Sequence, residues 1–247
     1  MNLIFLDYKI INMSILNKMN TGKFIFIFYL PIGSALSICL FSAYTKRQNK
    51  SIVTDYDGNV YNTIKIGKQI WMVENLKVTH YRNGDQIKHI TDSEEWRFDT
   101  LGAYSDYNNN ASMSATYGRL YNKRVVSDKR NVCPKGWRIP TKDDWKILED
   151  YLGGRFVAGG KLKEKGTGHW EDPNALADNS SGFTALPAGF RFVTGKFSDI
   201  GFSAYLWSSG ATIHGQGFFR LHSFTGMSFN NPDYHEASGY SIRCIKE

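Results

Sequence analysis

The residues with reactive chemistry in this 247-residue chain are few: three Cys, six His and scattered acids. Cys133 and Cys244 form an even pair outside the N-terminal segment that holds Cys39. In an oxidising compartment they would join as a disulfide across 111 residues; the alternative is two buried thiols. No CxxC or Cys/His pattern is present, so zinc is not indicated. The histidines at 80, 89, 169, 214, 222 and 235 show no metal-ligand spacing. Glu94-Glu95 and Glu171-Asp172 are adjacent acids of the solvated kind, and no G-x-S-x-G nucleophile elbow occurs. A catalytic constellation is therefore not expected.

Recognition chemistry is better represented. Between His214 and His235 lie Phe218, Phe219, Phe224, Phe229 and Tyr234, together with Arg220, His222, Asn230 and Asn231. Aromatic rings beside Asn and Arg suit glycan or protein contact. From this stretch Phe219, Arg220, His222, Asn230, Asn231 and Tyr234 are the expected ligand-contacting residues, although Phe219 and Leu221 also alternate as a strand's core face would. Asn230-Asn231-Pro232-Asp233 has oxygens for a calcium ion, and equally reads as a turn. Asp55-x-Asp57-Gly58-Asn59 opens like a calcium loop, but Ile66 stands where the twelfth-position Glu belongs, so a turn is expected.

Short elements must position these residues. Ile52-Val53-Thr54, the Asp57-Gly58 turn, alternating Val60–Ile66, the Gly67-Lys68 turn and Gln69–Val73 read as successive hairpins. Residues 79–118 read as a long polar loop. The clearest helix runs from Thr141 to Leu152: Thr141 caps it, Asp144 completes a capping box, and Trp145, Leu148 and Leu152 form the apolar stripe. Gly153-Gly154 ends it, and a shorter helix is expected around 160–165. Beyond Phe183 the chain reads as short strands, ending in Tyr240–Ile245 with Tyr240, Ile242 and Cys244 on one face. Trp71, Trp137, Trp145 and Trp207 are expected in the core; Trp96 and Trp170, in polar surroundings, are better placed for exposure.

The formal charge of +7 is uneven. Residues 1–50 carry six basic residues and one acid, which leaves 24 basic and 22 acidic residues in 51–247, a net +2. The folded part thus has no global field for nucleic acid. Phe24 to Phe41 is an uncharged run of 18 residues behind Lys23. Residues 1–41 read as a leader, either a signal peptide or a membrane anchor, with 42–51 as a linker. The start at Met1, Met13 or Met19 stays open, and Cys39 is a candidate acylation site.

Several segments carry a family resemblance. Val53–Tyr61 is followed by Ile66-Gly67-Lys68-Gln69-Ile70-Trp71-Met72-Val73-Glu74-Asn75-Leu76, then Tyr117-Gly118-Arg119-Leu120-Tyr121-Asn122 and Cys133-Pro134-Lys135-Gly136-Trp137-Arg138-Ile139-Pro140-Thr141. Ser181–Gly189 and Gly239-Tyr240-Ser241-Ile242-Arg243-Cys244 complete the series. In this order they resemble the Fibrobacter succinogenes major paralogous domain over about residues 52–246. The resemblance implies secreted or surface-held proteins, frequently lipoproteins, with a fold like the C-type-lectin-like fold of the formylglycine-generating enzymes. Trp137-Arg138-Ile139-Pro140-Thr141-x-x-Asp144-Trp145 is similar to that superfamily's strand-to-helix signature. Two departures stand out: Ser105 where the family often has Cys, and Lys123-Arg124 where an aromatic pair is usual. The first leaves Cys244 as the one partner for Cys133.

The expected architecture is one α+β domain over 52–247, C-type-lectin-like, with short antiparallel strands, one main helix and a shorter second. The expected function is non-catalytic binding of a glycan or protein at the cell surface, as an adhesin-like module held on or near the outer membrane. A structural subunit of a surface assembly such as a pilus tip is the first alternative. An enzyme related to sulfatase-modifying factors is the second. No cofactor is expected beyond a possible calcium ion.

Overall fold

The computed structural model describes residues 24–32, 35–43, 51–210, 217–231 and 235–247. It divides into two units, Met1–Asn49 and Lys50–Glu247. In the first, the apolar run forms a hairpin of β1 (Phe24–Ile32) and β2 (Ala35–Ala43), with Phe28 opposite Cys39. Among the described residues no helix is long and apolar enough to cross a membrane.

The second unit starts with β3 (Ile52–Thr54), β4 (Val60–Ile66) and β5 (Gln69–Met72), the hairpins expected from the sequence. The first turn differs in detail. Of Asp57 and Gly58 only Gly58 has positive φ, and the Asp55 carboxylate holds the turn by accepting from the Asp57 and Asn59 N–H groups at 3.0 and 2.9 Å. That carboxylate closes the turn as an Asx motif.

Residues 79–118 are not a structureless loop. They hold β6 (Lys88–His89), α1 (Ser93–Phe98), β7 (Ala103–Ser105), a 3-10 turn at Tyr107–Asn109 and α2 (Ala111–Tyr117). The helices are capped by Asp92 and Asn110, short-range signals easily overlooked in a polar stretch. β8 (Leu120–Tyr121), α3 (Lys123–Ser127) and β9 (Trp137–Arg138) follow.

The main helix α4 (Lys142–Tyr151) has Thr141 as its N-cap, and Thr141 and Asp144 form the capping box. Burial pushes the Asp144 carboxyl up, but the Arg138 guanidinium at 2.6 and 2.9 Å and the Thr141 N–H and hydroxyl outweigh it, so the group sits below its ordinary value. The second helix, α5 (Arg155–Leu162), begins directly after Gly153-Gly154, several residues earlier than expected. Both glycines have positive φ and reverse the chain without a loop.

The remaining strands are β10 (Ala188–Arg191), β11 (Phe197–Ile200), β12 (Ser203–Ser208), β13 (Gly217–His222), β14 (Ser228–Asn231) and β15 (Ile245–Lys246). One five-stranded sheet has the order β11-β10-β12-β13-β14 and another β3-β4-β5-β15-β9; β6-β7-β8 form a third. The domain is thus α+β, strand-rich with short helices. Gly239, Tyr240 and Ser241 make isolated bridges rather than a strand, because Arg191, Tyr121 and Leu206 draw them to three different partners, and only Ile245 of the expected strand lies in β15.

Helix α4 joins the two larger sheets. Trp145 lies against Trp71 of β5 (4.6 Å between centroids) and stacks on Phe219 of β13 (4.5 Å, 5°). Phe183 meets both tryptophans edge-on. A second core gathers Trp137, Trp207, Tyr121, Tyr240 and the bridged pair Cys133–Cys244. All four expected core tryptophans are buried. Trp96 and Trp170 are buried as well, each 1% exposed, because their indole N–H groups reach the carbonyls of Ala237 and Ala185. Polar sequence surroundings did not reveal those acceptors.

Candidate functional site

The hairpin β13–β14 carries most of the residues expected to touch a ligand, and its register sorts them into two faces. Phe219, Leu221, Ser228 and Asn230 face α4. Phe219 is fully buried, so its expected place in a ligand-contacting surface is corrected: it is a core ring stacked on Trp145. Asn230 is likewise on the helix face, where its Nδ2 donates to the Lys142 carbonyl at 3.2 Å. Tyr234 lies outside the described residues, with Pro232 and Asp233.

Phe218, Arg220, His222, Phe229 and Asn231 take the opposite face. There Arg220 is paired across the strands with Phe229, its guanidinium carbon 5.1 Å from the ring centroid. Arg220 Nε is buried without a hydrogen-bond partner. Arg155 of α5 also approaches Phe229, its guanidinium carbon 5.9 Å from the centroid. β14 is the edge strand of its sheet, so a side chain from the first turn of α5 can reach round it. Arg155 also lies over the exposed ring of Phe156 at 5.3 Å.

His222 extends the face towards the exposed ring of Phe224, 5.2 Å away. Its Nδ1 accepts from the Phe224 N–H at 3.2 Å, which fixes that nitrogen as the unprotonated one. Burial, the Arg220 charge and Lys163 hold the His222 imidazole below its ordinary pKa, against an opposing pull from Asp199. Phe224 lies near Phe202, also exposed, at 6.2 Å. On the neighbouring strand the Tyr205 hydroxyl donates to Asp199 Oδ2 at 2.6 Å; burial and that carboxylate push Tyr205 up to about 12.

One buried cation, Lys163, holds this face from below, and a second, Arg191, ties β10 to the 90–92 segment. Lys163 is fully buried and donates to the carbonyls of Ala175, His222 and Thr225 at 2.9, 3.0 and 3.0 Å. It pins both ends of the 222–225 turn. Arg191 donates to the carbonyls of Gly195, Ile90, Thr91 and Asp92 (2.5–3.2 Å) with Trp96 and Phe197 on its faces. Sequence reading missed Arg155, Asp199, Tyr205 and Lys163 as parts of this region. Only three-dimensional pairing brings them there; no local pattern marks them.

Other reactive groups are placed differently. Asp106 is buried between the Ser114 hydroxyl, Arg119 Nε at 3.3 Å and His89 Nε2 at 3.4 Å. The Ser114 hydroxyl donates to this carboxylate, whereas in a hydrolytic triad it would donate to a histidine. Glu94, Glu95, Glu171 and Asp172 are all exposed, and Glu95 pairs with Lys88 at 2.9 Å. Among the described residues no group of three or more His, Cys, Asp or Glu is arranged to hold a metal ion. Cys133 and Cys244 are bridged and fully buried.

Fold and site together define a disulfide-closed α+β domain whose partly open aromatic and cationic face lies at a sheet edge. A family model described as the Fibrobacter succinogenes major domain matches residues 64–246, and the chain belongs to that family. No curated protein and no solved structure matches it.

Proposed function

We propose that this protein is an exported, cell-surface binding module with C-type-lectin-like architecture, acting without catalysis on a glycan or protein ligand. The observation that carries the reading is the outer face of β13–β14. Arg220, His222, Phe224 and Phe229 stand there as a mixed aromatic and polar surface on a strand pair clamped from beneath. A rigid scaffold with adaptable side chains at its edge is what recognition needs. The C-type-lectin-like assignment draws support from the passage of Trp137-Arg138 in β9 through the Thr141 cap into α4, where Asp144 and Trp145 take structural places. Burial of the bridged cysteines favours binding over a chemistry that uses free thiols. Export and surface attachment through the leader, including acylation at Cys39, belong to the same proposal.

A glycan array probed with the purified full-length chain tests it. Binding to a defined set of glycans, reduced by Arg220→Ala without loss of the cooperative unfolding transition, is the expected result. Absence of any glycan or protein ligand, with the chain co-purifying as a filament subunit, would favour the structural-subunit reading instead.

A further inference from the structure

The strongest unassigned feature is the flanking of one ring by two arginines. The Phe229 ring has two guanidinium groups near it, from Arg220, its cross-strand neighbour, and from Arg155 of α5. The two guanidinium carbons are 5.1 and 5.9 Å from the same centroid, so they are at most 5.1 + 5.9 = 11.0 Å apart. Among the described residues neither guanidinium has a carboxylate within ion-pair distance, while Arg220 Nε remains a buried donor with nothing to donate to. Two acids of neighbouring elements are otherwise engaged: Glu149 accepts from Ser228 on the other face of β14, and Asp199 accepts from Tyr205 and Ser198. Two cations at one ring, without a carboxylate partner among the described residues, leave a local positive potential in a region bordered by aromatic rings.

We propose that this face binds an acidic saccharide, one bearing a uronate carboxylate or a sulfate ester, with Arg155 and Arg220 as the anion-contacting residues and Phe229 as the ring against which the sugar lies. Guanidinium groups present paired donors that match a carboxylate or sulfate. A phenyl ring offers a flat apolar surface to the C–H face of a pyranose. A protein partner would need an interface of about 800 Å² on each side, far more than these few side chains supply. A saccharide fits the small patch. The inference rests on the binding reading above and narrows its ligand class.

The test uses the full-length chain and four probes: polygalacturonate, chondroitin sulfate, neutral galactan and a single-stranded DNA oligonucleotide. Affinity electrophoresis or calorimetry at 0.15 M salt gives the affinities. The expected result is retention by at least one acidic polysaccharide over galactan, with Arg155→Ala weakening it roughly three- to tenfold and Arg220→Gln by a similar factor. Arg155→Lys should restore part of the loss. Arg155 is exposed and its side chain makes only ring contacts, so its variant keeps the fold even if Arg220→Gln does not. Galactan bound as tightly as the acidic polymers, unchanged by Arg155→Ala, would overturn the acidic-ligand inference and leave the binding reading intact. Equal retention by DNA would also overturn it, as a site for polyanions in general. No retention by any saccharide, together with a silent glycan array, would overturn both.

Discussion

Replacing both Cys133 and Cys244 by Ala removes a cross-link that spans 111 residues of sequence. Closing a ring of that size in the unfolded chain limits its freedom. The chain-entropy relation gives an entropy of about −16 cal/mol/K, or ~4.8 kcal/mol at 25 °C. Both sulfur atoms are fully buried among Trp137, Trp207 and Tyr240, so truncation to Ala adds a cavity term of about 1 kcal/mol per site. Domains of this size are typically stable by about 5–15 kcal/mol, so the loss is a large fraction of the whole. With a urea slope of ~2 kcal/mol/M these terms together lower the midpoint by about 3–4 M. The assay is urea unfolding followed by tryptophan fluorescence, on the double variant and on the wild type with and without reductant. Comparison of the reduced wild type with the variant separates the cross-link from the cavities. A shift below about 0.5 M with an unchanged slope would refute the reasoning, because the bridge would then contribute little. Rapid alkylation of both thiols in the native chain, before any reductant, would refute its premise.

Arg191→Met should destabilise the domain by about 3 kcal/mol or more, because four carbonyls from the 90–92 and 195 segments lose their donor in a buried place; thermal unfolding reads it. Phe219→Ala should cost about 3–5 kcal/mol by opening the stack on Trp145, and where the variant still folds, ligand affinity should be unchanged, since the ring faces the core. Burial holds Lys163 down at about 8, so the folded state releases its proton before the unfolded chain does. The unfolded state then binds more protons, and stability should rise with pH from about 8 towards 10. Burial pushes Tyr81 and Tyr205 up to about 12, so above about 10 the unfolded chain loses those protons first and stability should fall again. Urea midpoints across pH 7–11 should therefore pass through a maximum, and Lys163→Met should abolish the rising limb.

The elements with a strong local code were legible in the sequence. The capping box at Thr141 and Asp144, the stripe of Trp145 and Leu148, and the Gly67-Lys68 turn each depend on residues within a few positions of one another. The strand β13 was likewise visible in the alternation of Phe219 and Leu221, which already set Phe219 against Arg220. What alternation could not decide was which face is open, since that depends on α4 packing against one side. The 79–118 region failed for a different cause. Its strands and helices are too short for a period to show, and they are held by distant partners, such as the Ala237 carbonyl for Trp96. Arg155 could not be assigned to the site at all, because its approach to Phe229 follows from β14 being an edge strand.

The same distinction explains why the cations fall into two populations. Lys163, Arg191 and Arg243 are fully buried and spend their donors chiefly on backbone carbonyls or, for Arg243, on Asn75 Oδ1 and the Phe183 carbonyl (2.5–3.1 Å). Each also lies against an aromatic ring: Trp170, Trp96 and Phe183. A chain with long irregular connections has many carbonyls without a strand or helix partner, and a buried amine or guanidinium satisfies several at once. Arg82 does the same for Cys133, Pro134 and Trp137 near the bridge. Arg155 and Arg220 share the aromatic neighbour but, among the described residues, have no carbonyl partner. In this fold a cation stacked on a ring is ordinarily completed by oxygen atoms of the protein. At Phe229 the ring and the cations are in place and the oxygens are missing, which is the arrangement an oxygen-rich anionic ligand would complete.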